Sequence, residues 1–104
     1  MLRETESLRY EVRTEQNVID SDATLILGRG TLAGGTLLTR ELAVKWGKPC
    51  LVVDLTGPED VQQARHWLRE QRVQTLNIAG PRESSAPGIA EDAAAYLRRL
   101  LGRA

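Results

Sequence analysis

The stretch ATLILGRGTLAGGTLLTRE, Ala23–Glu41, decides the fold. Its first five residues, Ala23-Thr24-Leu25-Ile26-Leu27, carry no charge and stop at Gly28. Consecutive rather than alternating apolar positions mark a strand covered on both faces, as in a parallel sheet. A loop follows that holds Gly28, Gly30, Gly34 and Gly35, with Arg29, Thr31 and Thr36 between them. A helical pattern then begins, with Leu38, Leu42 and Trp46 on one stripe. This layout puts free backbone N–H groups at the carboxyl end of a buried strand. Open α/β sheets hold anionic ligands at that place.

Downstream, Gly47 and Pro49 close the helix. Cys50-Leu51-Val52-Val53-Asp54 is a second apolar strand ending on an acid. Thr56–Asp60 makes a turn, and Val61, Ala64, Trp67 and Leu68 form the buried stripe of the next helix. Gln62, Arg65, Arg69 and Glu70 are expected to face water. A third strand is expected over Val73–Ile78, a polar loop over Ala79–Gly88, and a last helix over Ile89–Leu101. Upstream, Met1–Ser7 is charged and unpatterned and is expected to be loosely held. Leu8, Val12 and Ile19 suggest a helix stopped by Asp20-Ser21-Asp22. Strands alternating with helices at this spacing give one α/β domain over 1–104, a small parallel sheet joined by right-handed crossovers.

The composition narrows the partners. Lys+Arg and Asp+Glu both count 14, so formal net charge is zero. That balance favours neither nucleic acid nor an anionic membrane. The single cysteine, Cys50, rules out an intramolecular disulfide and points to the cytoplasm. No apolar run approaches the ~20 residues of a membrane span, and the N-terminus is not signal-like.

The loops carry what chemistry there is. GRGTLAGG (Gly28–Gly35) sets its later glycines one residue beyond a GxGxxG pattern and lacks the GK[ST] of a P-loop, which argues against ATP hydrolysis. The plainer alternative is a connection that needs small residues for close packing. NIAGPRES (Asn77–Ser84) follows the third strand on the same edge of the sheet. Asn77, Gly80, Arg82, Glu83 and Ser84 with the first loop suggest a shared crevice. The alternative there is a solvated Arg82–Glu83 pair in a loop stiffened by Pro81 and Pro87. Asp54 is placed either to meet a ribose hydroxyl or to cap its own turn. His66 has no metal-ligand spacing around it and reads as surface. Cys50, Trp46 and Trp67 read as packing. No Ser-His-Asp set, HExxH or paired-cysteine motif is present, so no reaction is legible.

Taken together, these residues resemble a family. RTEQNVIDSDATLILGRGTLAGGTLLTRELAVKWGKPCLVVDL (Arg13–Leu55) and LNIAGPRESSAPGI (Leu76–Ile89) are similar to the molybdenum carrier family. The specific motifs are NVIDSDATLIL, GGT and NIAGPRES, and the likeness spans about Leu2 to Leu101. The resemblance implies a small three-layer Rossmann-like fold related to the lysine-decarboxylase-like (LOG) group. It implies a protein that binds a molybdenum cofactor, molybdate or a nucleotide-like anion. By matched motif the ligand residues are Arg29, Gly30, Thr31, Gly34, Gly35, Thr36, Asn77, Gly80, Arg82, Glu83 and Ser84. The family's GGQTGVDRAALD-type segment is not found, so the domain reads as truncated at its N-terminus. The PGGxGTxxE motif of LOG-type phosphoribohydrolases is also missing, because Glu41 stands five residues beyond Thr36. A nucleoside-phosphate hydrolase therefore stands as the alternative, as does a subunit without its own ligand site. A missing neighbour strand would leave Ala23–Leu27 with an open edge, which leads to the expectation of a homodimer through that strand or through the first helix.

Overall fold

Strand β1 (Ala23–Gly28) is the axis of the molecule, and all six of its residues are buried. It pairs in parallel with β2 (Cys50–Asp54) on one side and β3 (Leu76–Ala79) on the other, giving the order β2-β1-β3. Leu25 stands opposite Leu51 on one neighbour and Ile78 on the other. The computed structural model describes residues 6–57 and 61–102. Of the segment expected to be loose, Met1–Thr5 lie outside the described residues, and Glu6 and Ser7 open a helix.

Helices cover both faces. α1 (Glu6–Asp20) and α2 (Gly34–Lys45) lie on one, where Val18, Leu42 and Ala43 pack with Leu38 and Cys50. α3 (Val61–Glu70) and α4 (Ile89–Leu101) lie on the other. Here Leu25, Leu27, Leu55, Ala64, Ile89, Tyr96 and Leu100 form the larger cluster. The uninterrupted apolar run of β1 follows from this sandwich: alternate residues enter opposite cores.

Several elements differ from the sequence reading, each for a physical reason. β1 is the central strand and not an open edge, so the argument that placed a dimer contact on Ala23–Leu27 is overturned. β3 begins at Leu76 rather than Val73. The Asp22 carboxylate accepts the N–H groups of Gln74 and Thr75 at 2.8 and 2.9 Å. Arg72 has a positive φ of 52°, and the Val73 N–H turns back to the Leu68 carbonyl. These bonds hold the approach to β3 as a turn.

The stripe on α1 is shifted. Val12 is 58% exposed while Val18 is fully buried. The inward positions are Tyr10, Thr14 and Val18, spaced i, i+4, i+8. Thr14 fits there because its hydroxyl donates to the Tyr10 carbonyl at 2.7 Å. α2 uses the same device. Thr36 and Thr39 are buried with Leu42, their hydroxyls turned back to the carbonyls of Ala33 and Gly35. Trp46 is 45% exposed and not core. Its Nε1–H donates to Glu15 at 2.8 Å and so clasps α1 to the end of α2. Arg65 donates to the carbonyls of Leu100 and Arg99 rather than facing water, and so closes the C-terminus of α4. Among the described residues no helix is long and apolar enough to cross a membrane.

Candidate functional site

α2 leaves β1 toward one face of the sheet, and α4 leaves β3 toward the other. The two loops therefore part at the carboxyl ends of adjacent strands, which is the switch point where α/β sheets form crevices. A cleft of about 990 Å³ opens there. The β1–α2 connection supplies Gly28, Arg29, Thr31, Leu32, Ala33, Gly34, Gly35 and Thr36, with Leu38 behind them. The β3–α4 connection supplies Gly80, Pro81, Arg82, Ser85 and Ala86. Helix α1 forms a third wall with Tyr10, Glu11 and Arg13.

The first loop is shaped by glycines and one carboxylate. Gly30 and Gly34 have φ of 63° and 55°, the left-handed region that other residues resist. Asp54 Oδ1 accepts from the Thr56 hydroxyl at 2.6 Å, the Thr56 N–H at 2.9 Å and the Gly30 N–H at 3.2 Å. The Thr56 hydroxyl, then these N–H groups, hold the Asp54 carboxyl below its ordinary range. Asp54 thus caps its own turn and pins the glycine loop. The loop delivers the chain to α2 with Ala33 as an extended N-cap residue that offers no side-chain hydrogen bond, and α2 has no acid in its first turn. Among the described residues the first N–H groups of α2 have no side-chain acceptor, and Gly34, Gly35 and Thr36, which carry them, line the cleft.

The second loop is closed on itself. Glu83 accepts the Gly88 N–H through Oε2 and the Ala90 N–H through Oε1 at 3.1 Å, capping α4. The Gly88 bond, then the Ala90 bond, lower the Glu83 carboxyl from its ordinary value. Arg29 reaches across from the first loop. Its Nη1 donates to the Pro87 carbonyl and its Nη2 to Asp92, both at 2.6 Å. Gly80 admits no side chain, since a Cβ there would lie 2.6 Å from the Leu27 carbonyl oxygen. Arg82 places its guanidinium 5.4 Å above the centre of the Tyr10 ring.

Of the residues singled out from the sequence, the cleft brings together Arg29, Thr31, Gly34, Gly35, Thr36, Gly80 and Arg82. Gly30, Asn77, Glu83 and Ser84 lie outside its lining. Asn77 donates to the Thr24 hydroxyl at 3.3 Å, and Glu83 is spent on the α4 cap. The α1 residues were missed. Their only trace in the sequence is Gly35, whose absent side chain makes room for Tyr10. A Cβ on Gly35 would fall 2.3 Å from the Tyr10 oxygen.

The donor-bearing residues that line the cleft include Gly34, Gly35 and Thr36 with their N–H groups, Thr31 and Ser85 with their hydroxyls, and Arg13 and Arg82 with their guanidinium groups. Among the described residues neither of these arginines has a carboxylate partner within ion-pair distance. Also among the described residues, no group of three or more His, Cys, Asp or Glu is placed to hold a metal ion. A donor set of this kind suits an oxyanion better than a bare cation. Of the acids, Glu41, Glu83 and Asp54 do not line the cleft, and Glu11 does.

Comparison with known proteins agrees with this architecture. The chain superposes on the crystal structure of a protein of Syntrophus aciditrophicus SB, provisionally named molybdenum carrier protein, with a TM-score of 0.83 and 39% identity. The match covers 98% of this chain and 66% of that one. No curated protein matches the sequence at a comparable level. The fold is thus the Rossmann-like α/β architecture that the resemblance implied. The sequence profile of the circularly permutated YpsA SLOG family matches residues 1–101, nearly the whole length, and the chain belongs to that family.

Proposed function

We propose that the protein binds an oxyanionic or phosphorylated small molecule in the cleft at the carboxyl ends of β1 and β3, as a carrier or receptor and not as a catalyst. The observation that carries this reading is the uncapped N-terminus of α2, which opens into a cleft bearing Arg13 and Arg82. Backbone N–H groups of Gly34–Thr36, with the hydroxyl of Thr31, would take the anion. Arg13 and Arg82 would balance its charge. Molybdate or a molybdenum-bearing anion is one cargo of this class, in line with the name of the Syntrophus protein. A LOG-type hydrolysis would need a general acid or base in the cleft, and Glu11 is the residue to replace in testing it. Incubation with nucleoside monophosphates should release no free base.

Binding is tested by thermal unfolding with molybdate, inorganic phosphate and a nucleoside monophosphate. A ligand held at a hundredfold excess over Kd adds about 2.7 kcal/mol by mass action, a clear rise in Tm. Arg82→Ala and Arg13→Ala should each reduce that rise. Absence of a rise with all three would remove the proposal. The homodimer, in turn, is proposed at the outer edges of the sheet. Ile78 on β3 is 42% exposed beside an apolar hollow of about 180 Å³, and Val52 on β2 is 39% exposed. Sedimentation equilibrium should show a dimer that Ile78→Glu dissociates without unfolding, and a monomer throughout would exclude it.

A further inference from the structure

The cleft's aromatic wall says which class of anion it prefers. Tyr10 projects from α1, half-buried, with its ring edge against the first turn of α2, in the space left by the missing side chain of Gly35. One ring face is turned to Arg82, which reaches it from the β3–α4 loop across 5.4 Å. Cation–π pairs of exposed residues are weak, so this face is easily vacated. Leu32, Ala33 and Leu38 continue the apolar side of the same cleft. A bare oxyanion uses neither the Tyr10 ring nor these apolar side chains, and a cleft of about 990 Å³ is many times its size. That volume is at the upper end of the roughly 300–1,000 Å³ of small-molecule pockets.

Resting on the proposed anion site, we infer that Tyr10 is a stacking platform that selects anions carrying a flat heteroaromatic ring over bare or sugar-only oxyanions. The ring of the ligand takes the Tyr10 face that Arg82 covers in the free protein. Arg82 is thereby released, and its fork turns to the anionic group held at the start of α2. One side chain thus closes the empty cleft and grips the filled one. Gly35 belongs to the same device, since any side chain there would push the Tyr10 ring out of place.

The test compares adenosine 5′-monophosphate, ribose 5-phosphate and inorganic phosphate by isothermal titration. The wild-type protein should bind the nucleotide about tenfold tighter than the sugar phosphate, within the range a single aromatic stack supplies. Tyr10→Leu should bring that ratio close to one and leave inorganic phosphate binding within about twofold, the change expected when only stacking is lost. Tyr10→Phe should keep the ratio. If Tyr10 only packs α1 onto α2, Tyr10→Leu lowers Tm and weakens all three ligands alike, which overturns the inference. Equal affinity for the nucleotide and the sugar phosphate in the wild type also overturns it, and needs no variant to fold. In that case binding of inorganic phosphate shows that the anion site itself stands. Failure of all three to bind overturns the inference, and failure of molybdate as well overturns the proposed function.

Discussion

The two helices that start at the cleft begin in opposite ways. α4 opens with its N–H groups already occupied. Glu83 takes those of Gly88 and Ala90, Glu91 and Asp92 sit in its first turn, and Arg29 bonds Asp92. α2 opens with Ala33, no capping side chain and no acid. Both helices follow a glycine-bearing loop at the same edge of the sheet, and both have the same dipole. One has its anion built into the chain. The other has none from its cap or its first turn, and the proposed ligand would supply it. The lesson is that a glycine loop before a helix is not itself a site. The proposed site differs from α4 in that neither cap nor first turn of α2 supplies negative charge.

Both loops depend on β1, and damage to that strand should have the largest effect. Ile26 is fully buried in β1, so Ile26→Asp should unfold the protein outright, whatever its oligomeric state. Circular dichroism checks this, and the variant says nothing about a dimer. Gly80→Ala comes next. Its added Cβ meets the Leu27 carbonyl, and overpacking of this kind costs about 1–3 kcal/mol, readable in urea unfolding. A normal midpoint would mean that the β3–α4 loop is held less tightly than described.

Making α2 resemble α4 sharpens the contrast. Ala33 has φ −150° and ψ 165°, a backbone suited to an N-cap. Ala33→Asp should therefore stabilise the protein by about 0.5–2 kcal/mol in thermal unfolding, while placing a carboxylate where the ligand's anion would sit. Making α4 resemble α2 has a smaller effect. Glu83→Gln should lower Tm by a few degrees at neutral pH and by less in acid.

The sign of the acid effect follows from the carboxyls. Asp22, Asp54, Glu15 and Glu83 all titrate below their ordinary values of 3.8 and 4.5 in the folded protein. For Asp22 the Thr75 and Gln74 N–H groups are the cause, and for Glu15 the Trp46 N–H and then Lys45. Between the unfolded and folded values the unfolded chain binds more protons, so stability rises with pH there. Their contribution is full above the ordinary carboxyl range and is lost as pH falls through the lowered values. Denaturant midpoints measured from pH 6 down to pH 2 should fall accordingly. Glu83→Gln should flatten part of that fall.

Much of this was legible in the sequence, and the parts that were not share a cause. The run Ala23–Leu27 gave the buried parallel strand because a strand between two helical layers needs apolar residues at every position. Cys50–Asp54 and Ile89–Leu101 were read with their observed bounds. The start of β3 was misread because Val73 and Thr75 suit a strand locally. The carboxylate of Asp22, some fifty residues away, together with the Val73 N–H turned back to Leu68, holds that segment as a turn. α1 was misread because Thr14 hides its hydroxyl in its own helix and so joins the buried stripe, leaving Val12 outside. Arg29, which lines the cleft, and Glu83, which does not, had the residue types of ligand-binding groups. Their partners, Pro87, Asp92 and the α4 N–H groups, come from loop geometry that spacing does not encode. Tyr10, Glu11 and Arg13 were missed because nothing local says that α1 packs beside the start of α2.

The open end of α2 is the proposed anion site. Titration of molybdate into wild-type protein and into Ala33→Asp, side by side in a calorimeter, tests it most directly. The account predicts saturable binding to the wild type and affinity at least about tenfold weaker in Ala33→Asp, a change of about 1.4 kcal/mol or more, although that variant melts higher. Equal binding by the two proteins would contradict it, because an anion indifferent to a carboxylate at Ala33 is not held by the start of α2.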